Sequence, residues 1–391
     1  MSRRAFFGTL ALIGGSCFIA VALAEGALAL LSFAPSQLLI PARNHDDVLV
    51  YRLPKGWPDA DARGFRNASV PAKVDLVAFG DSHTYGYNVE APSSWPSLVA
   101  KTSSSTVYNF GMGGFGPLQA YKLLDEALCM NPKAIVLALY LQNDLADICE
   151  AYHQAEWWRS PEGKQLVDLG FCDSITVKPG PLSFLRPIRK GAQDFISSLR
   201  LASLVRTALY KCELNEPAVG ERWVVADLAA HRFEMNKDRF AAVLEATDLS
   251  KSKTQKSFEL VVELLVRMAM DCSRAGVGLG VLFVPSRELV FARALERAGQ
   301  PVPELIRRVA DLESRLELEL VPELDQLGVP WAKAEPRLVE LLESSDLLYP
   351  PRDSHPFANG YRAYARTVTD DLLPALGAKT QTSTEARSCV H

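Results

Sequence analysis

The sequence predicts an α/β fold: a three-layer α/β/α sandwich with a mostly parallel sheet, preceded by an N-terminal hydrophobic helix. Short apolar runs bounded by turn residues alternate with longer segments that carry apolar residues at helical spacing. This alternation is typical of parallel sheets covered by helices on both faces. The chain has 391 residues, 48% hydrophobic and 23% charged, which is enough for one large domain with insertions.

Residues 1–33 are predicted to be a signal anchor, a transmembrane segment or a cleaved signal. Arg3 and Arg4 precede an uncharged run over residues 5–24, about the length that crosses a bilayer core. Positive residues favour the cytoplasmic side, so the body of the chain is expected in the cell envelope, periplasmic or extracellular, and contacts the membrane through this helix. Ala22 and Ala24 fit a cleavage site that would release the chain, and SRRAFF resembles a twin-arginine signal.

The remaining chain is predicted to hold a lead-in at 34–72, a domain at 73–377 and a flexible tail at 378–391. Residues 145–250 break the alternation and are predicted to be an insertion, a candidate lid, with a helix near 192–211. The predicted strands are 74–79, 106–109, 134–140, 278–284 and 329–332, and the predicted helices are 95–101, 118–129, 258–274, 303–327 and 358–373.

Composition excludes several classes of function. The net charge of −4 does not suggest a nucleic-acid binder. The seven cysteines form neither a CxxC pair nor a zinc-like cluster with histidine, so we predict no metal site and no cofactor. In an exported domain some of these cysteines can pair as disulfides, and buried thiols are an equal alternative.

Polar residues gather where the predicted strands end. The first strand runs into GDSH at 80–83, the second into NFGMGG at 109–114 and the third into QND at 142–144, and DSHP at 353–356 precedes the last helix. Ligands of an open parallel sheet bind outside the carboxyl ends of its strands, so these blocks are expected to meet. Taken singly, each has a structural explanation, such as an N-cap at Ser82 or a tight turn at the glycines.

Together the four blocks supply what ester chemistry requires. Ser82 is the candidate nucleophile and His355 the base that activates it. Asp353, two residues before the histidine, can fix its tautomer and stabilise the imidazolium. The backbone N–H of Ser82, a glycine N–H and the side-chain amide of Asn143 are candidate donors to the oxyanion.

This set of blocks, in this order, resembles the SGNH, or GDSL-type, hydrolase superfamily. The resemblance covers about residues 64–144 and 258–373 and implies a flavodoxin-like SGNH hydrolase fold. It implies Ser82 as nucleophile, His355 as base, and Gly114 with Asn143 in the oxyanion hole. GFR at 64–66 and the apolar N-terminus resemble membrane-anchored bacterial members. The resemblance also implies hydrolysis of O-acyl esters, above all O-acetyl groups on an envelope or extracellular polysaccharide.

Two positions depart from the family pattern. Leu141 stands where a glycine is usual, two residues before Asn143, and Arg352 stands where the acid is usual, three before His355. Asp353 is therefore expected to be the acid, with Asp346 as the alternative. Without either carboxylate the site would be a Ser-His dyad. No GxSxG sequence is present, so the α/β-hydrolase elbow fits less well.

Further residues are candidates for binding substrate. His83 can line the pocket, although its position beside Ser82 makes it a poor base. Residues 178–211 contain seven Lys or Arg and one acid, and Arg189, Lys190 and Arg206 are candidates for holding an acidic glycan or anionic lipid headgroups. A solvated helix face explains the same charges. An acyltransferase with the same triad and a non-catalytic glycan-binding or assembly protein remain alternatives, and the sequence does not predict the oligomeric state.

Overall fold

The structure is a computed structural model that describes residues 3–30, 41–174, 195–196, 199–215, 218, 220–344 and 347–377. Its strands are β1 Asn44–Asp46, β2 Val50–Arg52, β3 Leu76–Phe79, β4 Val107–Asn109, β5 Ala134–Leu139, β6 Trp223–Leu228, β7 His231–Asn236, β8 Gly278–Phe283 and β9 Trp331–Lys333. Its helices are α1 Arg3–Leu30, α2 Ser82–Tyr85, α3 Trp95–Ser103, α4 Pro117–Lys122, α5 Leu124–Leu128, α6 Leu141–Gln154, α7 Pro161–Leu166, α8 Arg200–Asn215, α9 Lys237–Thr247, α10 Ser252–Arg274, α11 Arg287–Arg297, α12 Glu304–Leu327, α13 Glu335–Leu342, α14 Ala358–Arg366 and α15 Leu373–Gly377.

A five-stranded parallel sheet forms the centre of the domain. Its strands lie in the order β4-β3-β5-β8-β9, and each neighbouring pair is parallel. Counted along the chain this is the order 2-1-3-4-5, the flavodoxin-like arrangement. The reversal of order between β4 and β5 makes a crevice at the carboxyl end of β3. The predicted parallel sheet is confirmed, and GDSH follows β3 directly.

Two apolar layers cover the sheet, because alternate side chains of each strand point to opposite faces. On β5, Ile135 and Leu137 pack into one core with α10, whereas Val136 and Ala138 pack into the other with α3 and α14. Every residue of β5 is buried, which is why this strand reads as an unbroken apolar run.

Several elements differ from the prediction. The helix expected at 118–129 is divided between α4 and α5 at Leu123. The last predicted helix contains a π-helical stretch, Thr367–Leu372, between α14 and α15. Two amphipathic helices, α11 and α13, and the hairpins β1–β2 and β6–β7 were not predicted.

The start and the end of the predicted insertion belong to the helical layers. Helix α6 packs against α9 and α10, and a disulfide joins its Cys149 to Cys172, with the Cα atoms 5.3 Å apart. The helix expected near 192–211 corresponds to α8. Arg189, Lys190, Asp346 and the tail at 378–391 lie outside the described residues.

The N-terminal helix α1 contacts α8. The carboxylate of Glu25 accepts hydrogen bonds from the backbone N–H groups of Arg200, at 2.9 Å, and Leu201, at 3.0 Å. Glu25 thus binds N–H groups at the start of α8 that have no partner within the helix. Within the described residues, none of the helices combines the length and the apolar character needed to cross a membrane.

Candidate active site

Ser82 is the first residue of α2, immediately beyond β3. Gly80 has a φ of +149°, and a Cβ atom there would lie 3.0 Å from the carbonyl oxygen of Ala138. Asp81 is the N-cap of α2, because its carboxylate accepts the backbone N–H of His83 at 2.8 Å. The capping role suggested for Ser82 therefore falls to Asp81, and the Ser82 hydroxyl is available for other contacts.

Three side chains form a continuous hydrogen-bonded chain. Ser82 Oγ lies 2.7 Å from Nε2 of His355, and Nδ1 of the same ring lies 2.6 Å from Oδ1 of Asp353. The same Oδ1 accepts the backbone N–H of His355 at 2.9 Å. The hydroxyl can pass its proton to Nε2 while the carboxylate holds the proton on Nδ1, which is the arrangement that activates a serine.

Two residues, Asn88 and Arg352, fix the loop that carries His355. The sequence did not indicate this role for either of them. Asn88 donates to Oδ2 of Asp353 and to the carbonyl oxygen of His355, both at 3.0 Å. Arg352, at the position usual for the acid, donates instead to Glu234 at 2.8 Å and stacks over Trp223. Asp353 thus provides the carboxylate that contacts the base, and Arg352 anchors the loop.

The glycine-rich segment after β4 is tied to α2. Asn109 donates to the carbonyl of Thr84 at 3.0 Å and accepts the N–H of Gly111 at 2.7 Å. A Cβ atom at Gly111 would lie 2.6 Å from the backbone nitrogen of Tyr85, so only glycine fits there. Gly114 is exposed, with a φ of +76°, and its added Cβ would meet nothing nearer than a hydroxyl at 3.8 Å. Its open side makes it suitable as an oxyanion donor.

Asn143 lies in the first turn of α6, and its side chain and the Ser82 hydroxyl both contact Oδ2 of Asp81. Its Nδ2 atom donates to Asp81 at 3.3 Å, which uses one of the two amide hydrogens and leaves the other for a substrate oxygen. Leu141, which replaces the family's glycine, is buried in the core at the start of the same helix. The substitution therefore fills the core behind the site, while the Asn143 amide remains beside Asp81.

His83 does not lie where the sequence suggested. It is fully buried, with its ring 4.4 Å from that of Tyr140 and 4.7 Å from that of His355, centroid to centroid. Burial lowers the pKa of His83 well below its usual value, and the neighbouring His355 lowers it further. Because α2 turns this side chain into the core, His83 packs behind the base as a neutral ring and does not line the cleft.

Three buried carboxyl groups, those of Asp81, Asp144 and Asp147, lie near Asn143, a candidate oxyanion donor. Burial raises the pKa of Asp81, and burial together with the charges of Asp81 and Asp147 raises the pKa of Asp144 well above its usual value. The pKa of Asp147 is raised to about 8 by burial, then by Asp81 and Glu150. At neutral pH Asp147 is therefore mostly protonated, which reduces the negative charge near Asp81.

Two tyrosines complete the rim. The ring of Tyr87 stacks on His355, with centroids 5.0 Å apart, and the Tyr51 hydroxyl donates to the carbonyl of Gly113. No signal in the sequence marked either tyrosine.

Among the basic residues predicted to bind substrate, Arg206 belongs to the described part of the chain and lies on α8 near Tyr87. In the described part of the chain no group of three or more His, Cys, Asp or Glu side chains is arranged to hold a metal ion.

Comparisons with known proteins complete the description. No family model matches the chain, and no curated protein does. Among solved structures it is similar to a protein from Desulfitobacterium hafniense described as lipolytic, of the G-D-S-L family (13% identity; 76% of this chain and 98% of that chain covered; TM-score 0.34). It is also similar to a Veillonella parvula member of the lipolytic G-D-S-L family (10%; 76% and 97%; 0.35) and to a Bacteroides fragilis protein described as an acylhydrolase (12%; 78% and 88%; 0.33). In its strand order and in its blocks GDSH, NFGMGG, QND and DSHP, the chain resembles the SGNH, or GDSL-type, hydrolase superfamily.

Proposed function

We propose that the protein is a serine ester hydrolase of the SGNH type that acts on O-acyl esters. The supporting observation is the chain of contacts from Ser82 Oγ to His355 Nε2, at 2.7 Å, and from His355 Nδ1 to Asp353, at 2.6 Å. Both lie within the distance that general-base catalysis requires. The same distances argue against a non-catalytic glycan-binding or assembly protein, for which a separated serine and histidine would be expected.

The reaction follows from the geometry. Ser82 Oγ attacks the ester carbonyl as His355 Nε2 takes its proton, and Asp353 stabilises the imidazolium through Nδ1. His355 then returns the proton to the leaving alcohol, which gives an acyl-Ser82 and the free alcohol. Water, deprotonated by His355, attacks the acyl group, and Ser82 leaves with the proton.

The oxyanion receives its hydrogen bonds from the carboxyl-end edge of the sheet. The donors proposed are the Ser82 N–H at the start of α2, the Gly114 N–H and the second amide hydrogen of Asn143. Loss of one such donor typically lowers kcat about 10²- to 10³-fold. We expect a loss of this size in Asn143→Ala, because the remaining two donors are backbone groups that the substitution leaves in place.

For the substrate we propose O-acetyl groups on an envelope or extracellular polysaccharide. Transfer of the acyl group to a sugar hydroxyl would use the same triad, and it requires that water be excluded from the acyl-enzyme. No observation on the described residues favours transfer over hydrolysis. The distinction therefore depends on the lifetime of the acyl-enzyme.

A burst assay tests the function and separates the two reactions. The protein is mixed with 4-nitrophenyl acetate, and nitrophenol release and the mass of the protein are followed beside Ser82→Ala. An acetyl adduct that depends on Ser82 and is cleared by water supports the hydrolase. An adduct that persists until a sugar is added indicates a transferase. Absence of any adduct, with the same nitrophenol release from Ser82→Ala, would refute the proposal.

We also propose that the folded domain lies outside the cytoplasm. The disulfide between Cys149 and Cys172, and the disulfide-bonded state of Cys129, favour an oxidising compartment. Fractionation of cells, with thiol labelling before and after reduction, tests this. Cysteines 149 and 172 that react without reduction in the native protein would contradict it. The mass of the N-terminal peptide then distinguishes a retained helix from a cleaved signal.

A further inference from the structure

The Tyr51 hydroxyl contacts the peptide whose N–H is proposed as an oxyanion donor. It donates a hydrogen bond to the carbonyl oxygen of Gly113. That carbonyl and the N–H of Gly114 belong to one peptide group, which is planar and trans. The two point in opposite directions, so a bond that fixes the carbonyl also fixes the direction of the N–H. Within the described part of the chain no group accepts the Gly114 N–H, which leaves it for a ligand oxygen.

Residues 112–115 form a β-turn with this peptide at its centre. The N–H of Phe115 donates to the carbonyl of Met112 at 2.9 Å, which closes the turn. Of the two central glycines, Gly114 alone has its φ in the left-handed region, at +76°. This combination matches a type II turn, whose third residue requires a positive φ. Gly113 is buried and Gly114 is exposed, so the central peptide joins the interior to the surface.

A peptide in this position can rotate unless something outside the turn holds it. Type I and type II turns differ by about half a rotation of the central peptide, because ψ of the second residue and φ of the third change together. The hydrogen bond that closes the turn is common to both types, and glycine at both central positions permits either conformation. After such a rotation the Gly113 carbonyl oxygen would take the place of the Gly114 N–H. An oxyanion would then meet an acceptor where it needs a donor.

Tyr51 is itself held in place. It lies on β2 opposite His45 of β1, with 8% of its surface exposed. The guanidinium carbon of Arg43 lies 4.1 Å from its ring centroid, and the ring of Phe115 lies 6.1 Å away, centroid to centroid. Burial raises the pKa of Tyr51 above its usual value, so the hydroxyl keeps its proton and remains a donor. The ring and its donor are therefore in position before a substrate binds.

The same turn is anchored beside the proposed nucleophile and base. The N–H of Met112 donates to the carbonyl of Gly80 at 3.2 Å, two residues before the nucleophile. A Cβ atom at Gly113 would lie 3.3 Å from the Tyr87 ring, and that ring stacks on His355 with 5.0 Å between the centroids. The ends of the turn are thus fixed against the site, and Tyr51 supplies the contact that fixes its centre.

We propose that Tyr51 is a positioning residue for the oxyanion hole, whose hydroxyl holds the Gly113–Gly114 peptide in the orientation that offers the Gly114 N–H to the tetrahedral intermediate. This inference rests on the proposed function, because it assigns a support to one of the oxyanion donors of that site. A hydrogen bond to a peptide carbonyl also polarises the peptide, which makes its N–H a stronger donor. Tyr51 acts through this peptide and needs no contact with the substrate.

Tyr51→Phe tests this role, because it removes the hydroxyl and keeps the ring with its contacts to Arg43 and Phe115. Loss of a whole oxyanion donor typically lowers kcat about 10²- to 10³-fold. The variant keeps the donor but frees its orientation, so we expect kcat for 4-nitrophenyl acetate to fall about 10- to 100-fold, with KM within about threefold of the wild-type value. A folded variant with kcat within about twofold of the wild-type value would overturn the proposal.

The matched control is Tyr108→Phe, which also removes a buried hydroxyl. Tyr108 donates to Asp61 at 2.6 Å, and this carboxylate keeps the backbone N–H groups of Arg63 and Phe65 as donors. The control variant should unfold at a lower temperature than the wild-type protein and keep its kcat. Equal losses of kcat in the two variants would show a general loosening of the domain, and this result would overturn the positioning role of Tyr51.

Inhibition by 1,1,1-trifluoroacetone distinguishes the oxyanion hole from the rest of the site. Ser82 Oγ adds to its carbonyl carbon, the serine proton passes to His355, and the carbonyl oxygen becomes an oxyanion, as in the tetrahedral intermediate. Because the adduct resembles the transition state, its inhibition constant should rise in Tyr51→Phe by about the factor by which kcat/KM falls. An unchanged inhibition constant beside a reduced kcat would overturn the assignment to the oxyanion hole.

A spectroscopic test uses the wild-type chain and does not depend on the folding of Tyr51→Phe. The sequence contains two Gly-Gly pairs, at 14–15 and 113–114. Glycine labelled with carbon-13 in the carbonyl and with nitrogen-15 therefore gives two amide signals bonded to a labelled carbonyl, and Gly15→Ala removes the other one. We expect trifluoroacetone to shift the Gly114 amide proton downfield in the wild-type protein, and less in Tyr51→Phe. A Gly114 signal that does not respond in the wild-type protein would overturn the proposal.

These outcomes separate the positioning role from the proposed function. A Ser82-dependent acetyl adduct in the burst assay, together with a Gly114 amide that does not respond to trifluoroacetone, rejects the role of Tyr51 and leaves the esterase in place. Absence of any Ser82-dependent adduct rejects the esterase, and the oxyanion hole with it.

Discussion

Asn88 holds the acid and the base of the proposed triad together, and its removal tests whether that support matters for catalysis. Its amide nitrogen donates to Oδ2 of Asp353 and to the carbonyl oxygen of His355, both at 3.0 Å. The residue is buried, and its φ of +63° is one that asparagine adopts more readily than most residues. We therefore expect Asn88→Gly to remove both hydrogen bonds while it keeps the backbone conformation.

The magnitude follows from the two contacts. A hydrogen bond to a charged group contributes about 1.5–3 kcal/mol and one to a neutral carbonyl about 0.5–1.5 kcal/mol. Asp353 keeps the backbone N–H and the ring N–H of His355 as donors, so only part of this free energy is lost from the stabilisation of the transition state. We expect kcat to fall about 10- to 100-fold in Asn88→Gly, with KM within about threefold of the wild-type value. The free energy of unfolding should fall by about 2 kcal/mol.

The assay is steady-state hydrolysis of 4-nitrophenyl acetate, with urea unfolding of the same preparations. Asn88→Ala is the matched comparison, because it removes the same side chain and adds the strain of alanine at a positive φ, about 1 kcal/mol. The two variants should share the loss in kcat and differ in stability. A folded Asn88→Gly protein with kcat within twofold of the wild-type value would refute the positioning role.

Three further substitutions give expected outcomes. Gly111→Ala places a Cβ 2.6 Å from Thr84, so unfolding should become easier by about 1–3 kcal/mol and activity should fall as α2 shifts. Asp147→Asn should stabilise the protein increasingly between pH 4 and 8, by about 1.4 kcal/mol per pH unit, because in this range the folded wild-type protein binds a proton that the unfolded chain lacks. An advantage that stays constant with pH in urea unfolding would contradict this. In the unfolded chain His83 has an ordinary histidine pKa of about 6.5, so below that pH the unfolded wild-type chain binds a proton that the folded protein does not bind. The free energy of unfolding of the wild-type protein should therefore fall by about 1.4 kcal/mol more per pH unit than that of His83→Phe as the pH falls. Parallel pH curves would show that His83 is not held neutral.

The sheet and the nucleophile could be predicted because the local sequence determines them. A strand buried on both faces reads as an apolar run, as β5 does, and the order of strands and helices implies a parallel sheet. Since the carboxyl ends of parallel strands share one edge, the position of Ser82 beside Asn143 followed from the chain order. The hairpins β1–β2 and β6–β7 were not predicted, because β1 and β2 have three residues each and β6 and β7 mix buried with exposed and polar residues, so neither hairpin contains a continuous apolar run.

The supporting contacts of the site could not be predicted, because they join residues far apart in the chain. Asn88 and Asp353 are separated by 265 residues, and nothing in the sequence around Asn88 marks it as a partner of the acid. The partner of Arg352 could not be predicted either, because Glu234 lies 118 residues before it in the chain. His83 was misplaced for a related reason: its orientation depends on how α2 packs against Tyr140 and Tyr364, and the sequence does not reveal that packing.

The hairpin β6–β7 lies within the predicted insertion, yet it holds the loop that carries the base. Arg287 donates to the carbonyl oxygens of Pro350 and Pro351, and the backbone N–H of Glu234 donates to the same Pro351 oxygen at 2.7 Å. Arg352 closes the connection through its pair with the Glu234 carboxylate. This part of the insertion thus acts as a brace for His355, whose movement it would restrict.

Two arginines that share one partner make this brace testable. Arg352 and Arg232 both bind Glu234, with 8% and 48% of their side chains exposed. Because an exposed pair contributes at most about 1 kcal/mol, whereas loss of one partner of a buried pair costs about 3–5 kcal/mol, Arg352→Ala should destabilise the protein far more than Arg232→Ala. It should also lower kcat for 4-nitrophenyl acetate, since residues 350–355 lose an anchor, while Arg232→Ala should leave kcat unchanged. Equal kcat in the two variants would mean that the hairpin stabilises the fold without positioning the base.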